Sequence, residues 1–220
     1  MKEQEEPTGG TAAQYLEHRP TGASLAAIVL AVLCFGAVML LHAVRGEIDP
    51  LRQVMSEYAN GSHGQVMTVV FYAFGLAALA LSLRLRSAIE THGAAKIFPA
   101  LLAASGVALI ASGVFEVERA LVPDTLEEVI HSNASVTAFV LLITTMLLFS
   151  SACRTDARWW SFRWTSMALA VAAGIAAMAT PLTAETGWSG AVQRVLSLTV
   201  LLWLLLTAMH LRGKAFRPAR

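Results

Sequence analysis

Long apolar runs, separated by short charged segments, dominate the chain. Six runs of 17 to 25 residues contain no Asp, Glu, Lys or Arg, and they cover residues 21–44, 65–83, 97–115, 129–153, 164–184 and 195–211. A helix that crosses a membrane needs roughly 20 mainly apolar residues, because each residue rises about 1.5 Å and the hydrocarbon core is about 30 Å thick. The pattern therefore predicts an all-α polytopic membrane protein, a compact bundle of six transmembrane helices.

The two chain ends and the shortest run determine the predicted domain boundaries. Residues 190–194 extend the short run at 195–211 by a turn if Arg194 reaches toward the headgroups. The first run is too long for the apolar region of a cleaved signal peptide, and the segment before it is acidic instead of basic. We therefore predict a mobile cytoplasmic tail at 1–20, a transmembrane domain at 21–211 and a basic cytoplasmic tail at 212–220.

Composition narrows the classes of function. The 220 residues are 56% hydrophobic and 14% charged, with a mean hydropathy of +0.60, whereas about a quarter of the residues in soluble domains are charged. A net charge of +1 gives no electrostatic footprint for nucleic acid, and two cysteines give no disulfide framework. The expected partner is a membrane lipid, with a partner helix or a second copy of the chain as alternatives.

Basic residues determine the expected orientation. Twelve Lys and Arg residues lie on the face that holds both chain ends, and four lie on the opposite face. Short loops rich in Lys and Arg stay in the cytoplasm. We therefore predict a multi-pass protein of the bacterial cytoplasmic (inner) membrane with both termini inside. The opposite face, which we call the outer face, carries nine of the 15 acidic residues.

Polar side chains that could perform chemistry cluster at the outer ends of the runs. They fall in four segments, at 55–64, 115–119, 127–135 and 193–194. The middles of all six runs lack ionisable residues, which usually mark ion paths through a membrane. A transporter therefore ranks third among the functions considered.

Several short motifs in these segments resemble one family. They are Ser56-Glu57-Tyr58 with Gly61 and Gly64, Gly113 to Phe115 followed by Glu118, His131 to Ser135, and Gly190, Gln193, Arg194 and Trp203. Over about residues 24–211 the chain resembles the bacterial six-helix membrane family known as domain of unknown function 998. The acid after the third helix of that family is more often aspartate, so Glu118 departs from the pattern. The resemblance implies an integral membrane protein without an established activity, with distant similarity to lipid-associated six-helix families.

The start of the fourth run offers a candidate catalytic stripe. Glu127, His131 and Ser135 are four residues apart, and this spacing places them one turn after another along a helix. A carboxylate there can orient the imidazole, and the imidazole can activate the hydroxyl. The alternative is a polar packing stripe in which Glu127 is solvated and complements the helix dipole.

Metal and haem ligation are weaker hypotheses. His63, His131 and Glu118 could supply nitrogen and oxygen ligands to a divalent metal, and the two histidines could bind a haem iron axially. No close pair such as His-x-x-x-His supports either site. We therefore expect no metal and no cofactor.

Glu118 and Arg194 are the charged residues expected to face the bundle at the membrane boundary. A base there is more stable when it is paired with an acid, and snorkelling of Arg194 is the alternative. Glu118 is chosen over Glu116 because of the family pattern. Ser56 and Glu57 belong to a loop whose Gly and Asn residues are typical of a tight turn.

These features favour binding over catalysis, although catalysis stays open. We expect an inner-membrane protein that binds a lipid headgroup, a small ligand or a partner helix through an outer-face polar cavity. The residues expected to contact the ligand are Ser56, Glu57, His63, Glu118, His131 and Arg194. The second hypothesis is an outer-face hydrolase, metal-assisted or not, that uses His131 with Glu118 or Glu127.

Overall fold

Six long helices, arranged in chain order around a ring, make up the computed structural model of the protein. The structure describes residues 21–88, 97–115, 125–154 and 159–215. The helices are α1 (Thr21–Val44), α2 (Gly64–Ala88), α3 (Ile97–Val114), α4 (Leu126–Ala152), α5 (Trp160–Leu182) and α6 (Ser189–Ala215). Each helix packs against the next, and α6 packs against α1, which closes the ring. The predicted tail at 1–20, residue Glu118 and residues 216–220 lie outside the described ranges.

All six helices are long and apolar enough to cross a membrane. Large apolar side chains are exposed around the outside of the bundle, among them Leu33, Val107, Val140 and Ile175, as expected for a surface that faces lipid tails instead of water. The described ranges contain helices and turns and no strand. The predicted fold class, an all-α bundle of six transmembrane helices, is confirmed.

Four helices begin earlier than their apolar runs, α2, α4, α5 and α6, and the starts of α4 and α6 position site residues. Helix α4 begins at Leu126 because Thr125 caps it, with its Oγ1 accepting a hydrogen bond from the Glu128 backbone N–H at 3.3 Å. Helix α6 begins at Ser189, so the shortest run is part of a 27-residue helix. Arg194 therefore lies within the second turn of α6, as the predicted extension requires.

Small residues bring α2 and α3 into backbone contact. A Cβ atom added to Gly75 would lie 2.5 Å from the Gly106 carbonyl oxygen, and one added to Gly106 would lie 2.7 Å from the Gly75 carbonyl oxygen. A Cβ atom on Gly113 would lie 2.8 Å from Cβ of Phe71. This close approach of small residues is typical of membrane helix pairs, and it fixes Phe71 against the end of α3.

The two ends of the bundle differ in what fills them. At one end, which we call the aromatic end, the buried ring of Phe149 makes edge contacts with four others: Phe98, Trp159, Phe162 and Trp203. The opposite end, which we call the 3-10 end, carries the α1–α2 loop with its 3-10 helix (Met55–Ala59). The outer-face segments that the structure describes in full, at 55–64, 127–135 and 193–194, lie at the 3-10 end.

Candidate functional site

The α1–α2 loop is folded around one buried arginine, Arg45, of which only 1% is exposed. Its Nη1 donates hydrogen bonds to the carbonyl oxygens of Tyr58 at 3.1 Å and Ser62 at 2.5 Å, and its Nη2 donates to that of Asn60 at 2.7 Å. Its Nε is paired with Glu47. Hydrogen bonds from a charged donor are stronger than neutral ones, so Arg45 fixes the backbone of this loop.

The Glu57 side chain stabilises the 3-10 helix. Its Oε1 accepts a hydrogen bond from the Val54 backbone N–H at 3.1 Å, and its Oε2 accepts one from Gln53 Nε2 at 2.7 Å. Both carboxylate oxygens thus bind groups of the loop itself. Glu57, one of the residues predicted to contact a ligand, caps the 3-10 helix, and its neighbour Ser56 lines the cavity described below.

The loop docks against the beginning of α6. Gln193 Oε1 accepts a hydrogen bond from the Met55 backbone N–H at 2.6 Å. Gly190 allows the two segments to meet, because a Cβ atom there would lie 2.4 Å from the Gln53 carbonyl oxygen. The family motif that contains Gly190 and Gln193 is therefore explained by packing between this loop and α6.

Arg194 binds a histidine and two backbone carbonyls. Its Nε donates to His42 Nε2 at 2.9 Å, and its Nη1 donates to the carbonyl oxygens of Gln53 at 2.7 Å and Gly190 at 3.0 Å. Because Arg194 can only donate, His42 Nε2 is the acceptor, and the proton of a neutral imidazole is on Nδ1, 2.7 Å from the Val38 carbonyl oxygen. No local pattern in the sequence indicates this contact, because His42 and Arg194 are 152 positions apart.

His131, of which 3% is exposed, points from α4 into the bundle. Its Nδ1 lies 2.7 Å from the carbonyl oxygen of Ser112. A carbonyl only accepts, so Nδ1 carries the proton, and in the neutral imidazole the lone pair is on Nε2. Ser135 Oγ donates to Ser112 Oγ at 3.1 Å, and the edge of the imidazole meets the ring of Phe71 at a centroid distance of 5.4 Å.

The acid that faces the bundle is Glu128, and Glu127 is exposed. Ser132 Oγ donates a hydrogen bond to Glu128 Oε1 at 2.9 Å. The stripe of Glu127, His131 and Ser135 is therefore not the inward stripe, because four residues turn a helix by more than one full turn and the offset accumulates. The inward residues are 128, 131, 132 and 135, the spacing of a buried helix face. That spacing in the sequence could have identified Glu128 and Ser132.

A cavity of about 230 Å³ lies at the 3-10 end between α2, α4 and α6. Its apolar wall includes Met67, Val70, Phe71, Phe74, Leu109 and Phe139. Its polar groups are Ser56, Glu128, His131, Ser132, Ser135, Gln193 and Ser197. Val136 lines the cavity and is also 63% exposed, so the opening reaches the lateral surface of α4.

The remaining predicted site residues do not meet at this cavity. His63 is exposed on the loop, with a backbone φ of 61°, and it is not among the residues that line the cavity. Glu118 lies outside the described residues, and Arg194 lines a neighbouring chamber instead. Within the part of the chain that the structure describes, no three His, Cys, Asp or Glu side chains come close enough to hold a metal ion.

Fold and site together define a polytopic membrane protein, a six-helix bundle with a polar cavity at one end. The family model described as "Protein of unknown function (DUF998)" matches residues 25–210. The chain therefore belongs to the DUF998 family, as the motifs of the sequence indicated. No curated protein and no solved structure matches the chain.

Proposed function

We propose that the protein is a non-catalytic binding protein of the membrane, whose cavity at the 3-10 end holds the polar group of a lipid or another small amphiphilic ligand. The observation that carries this proposal is the composition of the cavity wall. One side is apolar, and the other presents His131, Glu128 and several hydroxyls. Ligand sites commonly combine an apolar wall with a few polar groups that orient the ligand.

The cavity favours a ligand group that donates hydrogen bonds. Glu128 accepts, the Nε2 of neutral His131 accepts, and the serine hydroxyls do both, while no Lys or Arg lies among the residues that line it. Hydroxyl and amine groups therefore suit it better than anions. A volume of about 230 Å³ is below the roughly 300 Å³ at which pockets for drug-sized molecules begin, and it suits a headgroup or a similarly small molecule.

The hydrogen bonds support binding over hydrolysis. Catalysis by the stripe of Glu127, His131 and Ser135 needs a serine hydroxyl that donates to His131. Ser135 instead donates to Ser112, and Ser132 donates to Glu128. His131 donates from Nδ1 to a backbone carbonyl of α3. This contact leaves Nε2 to accept a hydrogen bond from a ligand.

His131 provides the direct test of the binding site. Gln at this position can still donate to the Ser112 carbonyl and offer an acceptor to the cavity, whereas Leu can do neither. We expect His131→Gln to retain the small molecules and lipids that co-purify with the parent protein, and His131→Leu to lose them. The measurement is mass spectrometry of the extracted molecules, normalised to the amount of folded protein.

The matched control is His210→Leu, the same substitution at the aromatic end, where His210 packs on Phe162 at a centroid distance of 5.0 Å. This variant should keep the co-purifying molecules. Equal occupancy in the parent, His131→Gln and His131→Leu would refute the proposed site.

The same proposal includes a location in the cytoplasmic (inner) membrane, with the 3-10 end outside and both termini in the cytoplasm. The basic residues of the sequence support this orientation. Both native cysteines are buried, so an introduced cysteine reports its own position. Ser62→Cys and Thr186→Cys should react with an impermeant maleimide added to intact cells, and reaction only after lysis would reverse the orientation.

A further inference from the structure

The seam between α1 and α6 contains a groove that the proposed function does not use. It has a volume of about 360 Å³ and is lined only by apolar side chains: Ala31, Val32 and Phe35 from α1, and Leu198, Leu201, Leu202 and Leu205 from α6. Val32 and Leu202 are exposed on the outside of the bundle, so the groove opens toward the lipid-facing surface.

A smaller chamber of about 60 Å³ continues the groove toward the 3-10 end. Phe35, Leu198 and Leu201 line both spaces, which makes them adjacent. The chamber differs from the groove in having two nitrogen-bearing side chains in its wall, His42 and Arg194. An occupant of the seam therefore meets apolar groups along its length and a cation at one end.

The guanidinium of Arg194 is held in place by hydrogen bonds from two of its three nitrogens, and the third nitrogen, Nη2, is available to a ligand. Its Nε and Nη1 are occupied by His42 and by two backbone carbonyls, and it lies over the Tyr58 ring at 5.6 Å from the centroid. Its Nη2 is buried and has no hydrogen-bond partner among the described residues. Leaving a buried charged donor unpaired is costly, which points to a ligand at this position.

The charge of Arg194 indicates an anion. Across the ranges that the structure covers, the ion pairs of arginine join Arg45 to Glu47 and Arg52 to Asp49, and none includes Arg194. Its acceptors are a neutral imidazole and carbonyl dipoles, so its positive charge is not balanced by a carboxylate of these residues. Arginine binds the oxygens of phosphate groups especially well, because its planar donors match their geometry.

The length of the seam matches one leaflet of a membrane. Eleven residues separate Arg194 from Leu205, which corresponds to about 16 Å along a helix. Half of a hydrocarbon core about 30 Å thick is about 15 Å. An acyl chain in the groove would therefore end near the bilayer centre with its headgroup at the depth of Arg194.

We propose that the α1–α6 seam is a phospholipid site, in which the groove holds one acyl chain and Arg194 Nη2 binds the phosphate. A partner helix does not fit, because a helix with its side chains is about 10 Å wide and cannot enter a chamber of about 60 Å³. The chamber shares Met55, Val70, Phe74 and Ser197 with the wall of the cavity at the 3-10 end. The two sites differ in ligand chemistry, since the seam takes an anion at Arg194 and the cavity takes a hydrogen-bond donor at His131.

Native mass spectrometry of the full chain in detergent, titrated with three probes, tests the proposal. The probes are dioleoyl phosphatidylglycerol, dioleoylglycerol, which has the same chains without phosphate, and inorganic phosphate. We expect one saturable phosphatidylglycerol site, at least about tenfold weaker binding of dioleoylglycerol, and no displacement of the phospholipid by inorganic phosphate. Displacement by phosphate alone would show a site for a free anion and overturn the lipid proposal.

Two pairs of variants separate the roles of charge and groove. Arg194→Gln should lower the affinity for phosphatidylglycerol by about tenfold, while its control Arg52→Gln removes an exposed charge at the same end and should leave the affinity unchanged. Val32→Trp fills the groove and should also weaken binding, whereas Val171→Trp alters an equally exposed position of α5 and should not. If Arg194→Gln does not fold, the Val32 and Val171 pair still decides the outcome.

Three results would contradict the site. One is equal affinity of all four variants for phosphatidylglycerol, which would indicate only loosely bound annular lipid. Another is unchanged affinity in Arg194→Gln together with strong coupling of Glu118 and Arg194 in a double-mutant cycle. This result would show that Glu118, and not a phosphate, balances the charge of Arg194. The last is loss of phosphatidylglycerol binding in His131→Leu, because that variant alters the cavity at the 3-10 end and should leave the α1–α6 seam intact.

Discussion

The aromatic end and the 3-10 end of the bundle are closed by different interactions. At the aromatic end, rings from four helices fill the interior around Phe149, and Trp203 Nε1 donates to Ser166 Oγ at 2.8 Å. At the 3-10 end, Arg45 and Arg194 hold the loop through its carbonyl oxygens. The rings fill the interior of the aromatic end. The hydrogen bonds of Arg45 and Arg194 fix the backbone of the loop without filling the space beneath it, and the cavity lies at this 3-10 end.

Buried polar atoms without a hydrogen-bond partner among the described residues occur toward both ends, Ser24 Oγ and Thr207 Oγ1 toward the aromatic end and Asn60 Nδ2 and Arg194 Nη2 toward the 3-10 end. The ends differ in whether polar groups border a cavity. The Ser150, Ser166 and Trp203 side chains of the aromatic end bind each other or a carbonyl of α4. Near the 3-10 end, among the described residues, Arg194 Nη2 has no partner, and neutral His131 offers an Nε2 lone pair in the wall of a cavity. The filled aromatic end stabilises the fold, and the binding site that we propose lies at the 3-10 end.

The largest effect should come from removing the central ring of the aromatic end. Phe149→Ala should lower the free energy of unfolding by about 3 to 5 kcal/mol, because it opens a cavity in a filled interior. Phe71→Ala at the 3-10 end should cost about 2 kcal/mol, since this ring already borders open space. Unfolding in mixed detergent micelles measures both, and equal losses would remove the contrast between the two ends.

Arg45 should be the most sensitive polar residue of the 3-10 end. Arg45→Gln leaves up to three loop carbonyls without their donor, and we expect a loss of about 3 kcal/mol in the free energy of unfolding. Arg52→Gln is the matched control, because the Arg52 side chain is 76% exposed and the change should stay within about 0.5 kcal/mol. Similar values for the two variants would mean that Arg45 does not hold the loop.

A single hydroxyl removed from each end sharpens the comparison. Ser166→Ala leaves the buried Trp203 N–H without an acceptor and should cost about 1 to 3 kcal/mol. Ser135→Ala should cost less than about 0.5 kcal/mol, because Ser112 keeps its bond to the Ala108 carbonyl oxygen and water can enter the cavity. The same micelle titration checks both, and the opposite order of losses would contradict the assignment of roles.

His63 should give the smallest effect. Its φ of 61° lies in the left-handed region, which costs a non-glycine residue about 1 kcal/mol. His63→Gly should therefore raise the free energy of unfolding by about 0.5 to 1 kcal/mol and leave the co-purifying molecules unchanged. Loss of the co-purifying molecules in this variant would show that His63 contributes to the binding site.

The architecture could be predicted from the sequence because it depends on apolar length alone. Six uncharged runs indicated six membrane helices, and capping by Thr125 accounts for the earlier start of α4. The family could also be predicted from the sequence, since it has short motifs such as Gly190 with Gln193. In the structure these two residues contact the α1–α2 loop. These contacts could be recognised as a pattern without knowledge of their geometry.

The site was predicted only in part, because its contacts join residues far apart in the chain. His42 and Arg194 are 152 positions apart in the chain, so no local pattern indicates their contact. No local pattern indicates that Arg45 is buried either. The choice of Glu127 over Glu128 is different, since the spacing of 128, 131, 132 and 135 was visible. It was missed because a strict four-residue repeat was followed instead of the 3.6-residue period of the helix.

The most direct test is an experimental density map of the protein, extracted from its own membrane into lipid nanodiscs without added ligand. Binding at the 3-10 end predicts non-protein density in the cavity, with an atom within about 3 Å of His131 Nε2, and no such density in His131→Leu. A cavity that holds only water in both proteins, or that is closed by its own side chains, would contradict the proposed function.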